Sequence, residues 1–264
     1  MIYSRTVAIL KRVLPAPFFD LLVHVRQLSK QPHSDAEVFI AIVRERVGIE
    51  IGGPSSLFRT ELPLYGAVKD LDGANFAQST LWEGDLRAGQ TFNFRPGSFG
   101  RQYIADATHL SEIPSGKYDF LLSSNCLEHV ANPLRALGEW RRVLKVGGAL
   151  VLAVPRKESN FDHRRPVTSF QHILDDLRND IGENDLTHLD EILALHDLSL
   201  DPEAGSFEEF KTRSAENLNN RALHHHVFDL ALIKHLAAFS NFDVVQGFST
   251  AKDHVILAVR SERD

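Results

Sequence analysis

The chain has 264 residues, 43% of them apolar, which suits one hydrophobic core with an elaboration attached. Its 29 Lys and Arg against 35 Asp and Glu give a formal net charge of −6 without a basic block, which excludes the broad electrostatic footprint of a nucleic-acid binder. The single cysteine, Cys126, excludes an internal disulfide and fits a reducing compartment.

Residues 1–46 read as a helical extension made of "YSRTVAILKRVL", "FFDLLVHVRQLSK" and "SDAEVFIAIVRERV", the last with Ser34 or Asp35 as N-cap. No signal peptide is visible. Lys11, Arg12, Pro15 and Pro17 interrupt the apolar N-terminal stretch too often for a bilayer span. The expectation is a soluble, cytoplasmic chain whose extension packs on its own core. The alternative is an amphipathic helix pair lying on a membrane or on a partner.

From Val47 the pattern changes to short apolar runs alternating with helical segments. "VGIEIG", "YGAVKDLD", "RQYIADAT" and "YDFLLSSN" read as four strands. The helical run "NPLRALGEWRRVLK" ends at Gly147-Gly148, where a helix C-terminus expects glycine. "ALVLAVP" is a fifth strand, a continuous apolar run of the kind buried on both faces. After Pro155 the rhythm stops for about seventy residues. It resumes with the helix "VFDLALIKHLAAFS" and a terminal strand pair, "FDVVQGFST" and "DHVILAVRS". Strands alternating with helices predict an α/β fold, a mostly parallel sheet covered on both faces. The implied organisation is an extension over 1–46 and one domain over 47–264, with 156–226 inserted as a cap after strand five.

In an open α/β sheet the ligand sits at the carboxyl ends of the strands. Strand one ends at Gly52-Gly53-Pro54-Ser55, where glycine lets the backbone approach a ligand closely. Strand two ends at Asp70-Leu71-Asp72, and an acid there is placed to accept hydrogen bonds from ribose hydroxyls. Strand three ends at Asp106-Ala107 and strand four at Ser124-Asn125-Cys126-Leu127-Glu128-His129. Glycine, acid and acid suggest a nucleoside. The pyrophosphate turn G-x-G-x-x-G is absent, which speaks against a nicotinamide-dependent oxidoreductase, and a Walker A pattern is absent too.

The run "YIADATHLSEIPSGKYDFLLSSNCLEHVANPLRALGEWRRVLKVGGALVLAVP" closely resembles class I S-adenosylmethionine-dependent methyltransferases. Strand four leads into Leu127-Glu128-His129, and a helix ending "RVLKVGG" precedes strand five. The resemblance covers 47–155 well and 224–260 loosely, and it implies a Rossmann-like fold with S-adenosylmethionine as cofactor. It places Glu50, Gly52 and Gly53 around the methionine part, Asp70 or Asp72 on the ribose, and Asp106 with Ala107 beside the adenine. Asn125 would line the same pocket, and His129 would face the transferred methyl. The family's recurring glycines are replaced at Pro54 and Ser56.

For a hydroxyl acceptor something must remove a proton, and a histidine of ordinary pKa about 6.5 suits that task. His129 is the candidate by position. The cap supplies rivals, for 156–226 carries His163, His172, His188, His196, His224, His225 and His226. Within 171–209 twelve acids face one basic residue, Arg178. Three readings of the cap compete. It is a solvated acidic shell, or a divalent-metal site drawing on residues such as His163, Asp190 and His224, or a second home for the base at His225 or His226. No tight His-x-x-x-His spacing supports the metal. His163, Arg164 and Arg165 lie just beyond strand five, placed to grip a phosphate or carboxylate on the acceptor. Pairing with the acidic cap is the alternative.

The expected reaction is methyl transfer to an oxygen, otherwise a nitrogen, of a small molecule such as a sugar, glycan precursor or phosphorylated metabolite. The rival is a catalytically silent relative acting through a protein partner.

Overall fold

A computed structural model describes residues 35–262, so the helices expected before Ser34, and Ser34 as a cap, lie outside the described residues. The first element is α1 (Asp35–Val43), followed by β1 (Val47–Ile51) and β2 (Asp70–Asn75). A short hairpin, β3 (Ser79–Thr80) and β4 (Gly84–Asp85), stands apart from the main sheet. The chain continues through β5 (Gly89–Arg95), β6 (Ser98–Ile104), β7 (Tyr118–Ser124), α2 (Pro133–Val143) and β8 (Leu144–Pro155). Residues 156–226 hold α3 (Phe170–Arg178), α4 (Leu189–Leu195), α5 (Phe207–Ala215) and α6 (Asn217–Asn220). The last elements are α7 (Leu230–Phe239), β9 (Phe242–Ser249) and β10 (Asp253–Arg260).

Eight strands form one sheet in the order β5-β6-β2-β1-β7-β8-β10-β9. The run from β6 to β8 is parallel, while β10 is antiparallel to β8 and β9, and β5 to β6. Alternation along the central strands fills two cores. Leu121, Leu150 and Leu152 face α2 and α7, where Trp140 and Ile233 are fully buried. Phe120, Leu122 and Val151 face the opposite side, closed by Phe39, Ile42 and Phe58. The fold is the Rossmann-like class I architecture, a mostly parallel sheet with helices on both faces.

Three boundaries differ from the sequence reading, and one of them moves the site. β2 begins at Asp70 rather than ending at Asp72, because Val47 pairs with Asp70 and Ile51 with Ala74. Tyr65 and Val68, taken for the body of a strand, are buried in the second core within the turn that precedes β2. Gly73, a poor strand residue, is accommodated because Phe92 occupies the space of its missing Cβ, 2.1 Å from where that atom would lie. α2 stops at Val143, and Gly147 with φ +73° lies within a strand that already runs from Leu144. The hairpin strand β5 was not anticipated, although Phe92 and Phe94 alternate with exposed Thr91 and Asn93.

Candidate functional site

The carboxyl ends of β2, β1, β6 and β7 open into a cavity of about 640 Å³. Gly52, Asn75, Asp106 and Asn125 stand at those four ends and line it. The β3–β4 hairpin adds Thr80, Trp82 and Glu83, and the cap adds Glu183 and Arg221.

The glycine turn excludes side chains. Gly52 has φ +79°, and a Cβ there would meet Cys126 Sγ at 2.8 Å. A Cβ on Gly53 would meet the Glu50 carboxyl carbon at 2.2 Å. Glu50 is fully buried behind this turn and does not line the cavity. Tyr65 Oη donates to it at 2.5 Å and the Ser55 backbone N–H at 3.1 Å. Burial pushes the Glu50 carboxyl up to about 7, with those two bonds pulling back. Asn75 is spent on structure, donating to Gly53 O at 3.1 Å while its Oδ1 accepts from Gln102 at 2.9 Å.

Asp106 Oδ1 accepts from Thr108 N and Oγ1 at 2.8 and 2.7 Å, and its Oδ2 pairs with Arg221 at 3.0 Å. Arg221 also pairs with Glu183 at 2.9 Å, so it fastens the cap to the end of β6. Glu83 is held by Thr80 Oγ1 at 2.5 Å, and burial raises its pKa. The lining carries five carboxylates, on Glu61, Glu83, Asp106, Glu183 and Asp253, against the cations Arg221 and Lys252. Such a wall attracts positive charge and repels phosphate.

His129 ends a short 3-10 turn after β7 and faces the cavity. Its Nδ1 is 3.2 Å from Leu223 O, a partner that can only accept, so the proton sits on Nδ1 and Nε2 keeps its lone pair. Burial, helped by neighbouring His224, holds its pKa well below 6.5, leaving the imidazole neutral. Trp82 and His224 pack on the ring at centroid distances of 4.8 and 4.5 Å. Burial pulls His224 down, but Asp162 and Glu128 more than offset it, and its pKa is raised. Glu128, fully buried, is pushed up to about 7 by burial.

The structure separates several residues that the sequence groups together. Asp70 opens β2 at the amino end, far along the strand from the cavity side. Asp72 binds Lys117 at 2.9 Å, Tyr118 Oη at 2.6 Å and Arg101 N at 2.8 Å, and neither aspartate lines the cavity. His225 is buried against Asn217 at 2.9 Å, away from the cavity. His163 and Arg164 both pair with Asp197, at 3.0 and 2.7 Å. Arg165 is 1% exposed and holds Asp162, Glu191 and the carbonyls of His224 and His225. These three cap residues therefore bind the cap's own acids, not the cavity. His163 and His224 engage different carboxylates and share no site. Among the described residues, the trios whose ligand atoms do converge are Glu128–His129–His224 and His172–His188–His226.

The family model described as "Methyltransferase domain" matches residues 64–152. Among solved structures, an S-adenosylmethionine-dependent methyltransferase from Mesorhizobium loti superposes with a TM-score of 0.50 at 12% identity, over 85% of this chain and 95% of that one. A SAM-dependent methyltransferase from Aquifex aeolicus gives 0.42 at 11% identity, over 86% and 89%. One from Methanosarcina mazei gives 0.44 at 16% identity, over 85% and 97%. No curated protein matches the chain significantly by sequence. No helix among the described residues is long and apolar enough to cross a membrane.

Proposed function

We propose that this chain, whose domain and fold are those of the class I S-adenosylmethionine-dependent methyltransferases, O-methylates a neutral small molecule such as a sugar or glycan precursor, with His129 as the base. The observation that carries the reading is the neutral His129 imidazole, its Nδ1 tied to Leu223 O and its ring on the cavity wall.

The residues fit the cofactor. Gly52 leaves no room for a side chain beside Cys126 Sγ and so brings bare backbone to the cavity wall, and the buried Ser55 hydroxyl lies in the same turn. The acidic wall complements a ligand that carries a sulfonium and an ammonium but no phosphate. Gly52 and Ser55 would flank the methionine part, and Asp106 with Ala107 the adenine. Ribose hydroxyls would find Glu83, since Asn75 already bonds on both sides. When bound, the sulfonium supplies a methyl group already activated for transfer, so the protein's task is chiefly alignment. Nε2 of His129 takes the proton from the acceptor hydroxyl as its oxygen attacks. Trp82, 52% exposed beside His129, offers a flat apolar face on which a sugar ring can rest. The acidic lining favours a neutral acceptor over a phosphorylated one.

The test combines calorimetric titration of S-adenosylmethionine with S-adenosylhomocysteine release on a panel of hydroxylated acceptors. His129→Gln should lower turnover by about 10²–10⁴ with cofactor affinity nearly unchanged. Full turnover in that variant would remove the base assignment. Absence of cofactor binding would instead favour a silent relative that docks a protein partner.

A further inference from the structure

The cap holds a second cluster, apart from the cavity, that methyl transfer does not use. His172 and Asp176 lie four residues apart on α3 and so project from one face. His188 stands at the N-cap of α4 with no capping hydrogen bond, and His226 lies on the segment that leads into α7. The four residues come from three separate stretches of chain, and none of them lines the cavity.

His172 Nε2 is 3.0 Å from His188 Nε2 and 3.4 Å from Asp176 Oδ2. One nitrogen of each of the three histidines lies within 4.8 Å of the others. Hydrogen bonding alone does not complete this cluster. Two facing imidazole nitrogens can share only one proton, and both Asp176 Oδ2 and His226 Nδ1 are buried without a hydrogen-bond partner. His226 Nε2 lies 3.2 Å from Ala131 O, which fixes the proton on Nε2 and leaves the lone pair on Nδ1. Metal-bound histidines are held in the same way, one nitrogen on a carbonyl and the other on the ion.

We propose that His172, His188, His226 and Asp176 bind one transition-metal ion of the zinc class. Around such an ion, bonds of about 2.0–2.1 Å in a tetrahedron put the ligand atoms about 3.3–3.4 Å apart. His172 Nε2 stands at 3.0 Å from His188 and 3.4 Å from Asp176, Asp176 Oδ2 lies 3.7 Å from His226 Nε2, and the three histidine nitrogens lie within 4.8 Å of one another, so binding would draw His226 inward. Three imidazoles with one carboxylate suit zinc, cobalt or nickel rather than magnesium or calcium, which take oxygen ligands. The ion would pin α3, the start of α4 and the 224–226 segment together. That segment follows Leu223, whose carbonyl orients His129, so the ion would steady the cap over the cavity. The site goes beyond the methyl-transfer reading and does not depend on it.

The test uses the full chain, stripped with a chelator and then supplied with zinc alone or magnesium alone. Roughly one zinc per chain should survive gel filtration, and the melting temperature should rise by about 5–10 °C with saturating zinc but not with magnesium. Cobalt should give the intense visible bands of a four-coordinate site. The His172→Ala/His188→Ala variant should lose the zinc, while His224→Ala should keep it. If the double variant fails to fold, Asp176→Asn should alter the cobalt spectrum of a protein with unchanged circular dichroism. No retained zinc, or zinc retained by the folded double variant and lost from His224→Ala, would overturn the proposal; so would a cobalt spectrum unmoved by Asp176→Asn.

Discussion

Glu50 is a carboxyl with no solvent exposure, held by Tyr65 and Ser55 behind the glycine turn. Its pKa moves from 4.5 to about 7 because burial disfavours the charge more than two hydrogen bonds favour it. The folded state therefore binds this proton more tightly than the unfolded chain does. Stability falls as pH rises from about 4.5 to about 7 and is level above that. At about 1.4 kcal/mol for each tenfold change in proton affinity, the loss amounts to roughly 3 kcal/mol. Glu50→Gln removes the titration and keeps an acceptor oxygen. The absolute stability of the variant mixes the lost charge with weakened bonds from Tyr65 and Ser55, so only the slope with pH isolates the effect. Urea unfolding of both proteins between pH 5 and 8.5 gives that slope. The wild-type stability minus that of the variant should fall by roughly 3 kcal/mol across the range and flatten near pH 7 to 8. A flat difference, or one that grows with pH, would refute the buried-carboxyl argument.

Further outcomes follow from the same geometry. The low pKa of His129 places the acid limb of turnover below pH 6.5, so the rate should be level from pH 7 to 8; a limb centred above pH 7 would point to another base. Arg165→Ala should cost about 3–5 kcal/mol of stability by leaving Asp162 and Glu191 short of a buried partner. The acceptor's Michaelis constant should not change, and a large rise in it would return Arg165 to the substrate. Gly52→Ala combines φ +79° with a 2.8 Å approach to Cys126 Sγ, and calorimetry should show cofactor affinity reduced at least about tenfold. Trp82→Ala should raise the acceptor's Michaelis constant more than it lowers turnover, whereas unchanged acceptor kinetics would remove Trp82 from the binding face.

The sheet was legible because its central strands carry strong signals. "YDFLLSSN" and "ALVLAVP" are apolar on both faces, and buried parallel strands require this. Strands with mixed signals were misplaced. In 65–75 the apolar residues Tyr65 and Val68 belong to a turn that packs on the core, while the true strand "DLDGAN" is polar and glycine-bearing. Pairing with β1 decides that boundary, and register is a non-local property that a single segment does not announce. The same holds at Gly147, where a glycine that signals the end of a helix sits instead inside β8.

A site read from strand ends inherits every boundary error. Gly52, Asp106, Asn125 and His129 reach the cavity because β1, β6 and β7 end where their apolar patterns stop. Asp70 and Asp72 miss it because β2 runs on to Asn75, and the carboxylate that replaces them, Glu83, stands on a hairpin of two-residue strands with no periodicity to find. In the cap, charge was legible but direction was not. Arg164 and Arg165 beside twelve acids are more cheaply neutralised within the cap than at a cavity already lined by carboxylates, and the structure pairs them so. The one spacing with directional content was His172-x-x-x-Asp176, a helical i,i+4 pair that a search for paired histidines passes over. Its partners His188 and His226 lie 16 and 54 residues further on, and only the folded cap brings the three histidines together with Asp176 beside them.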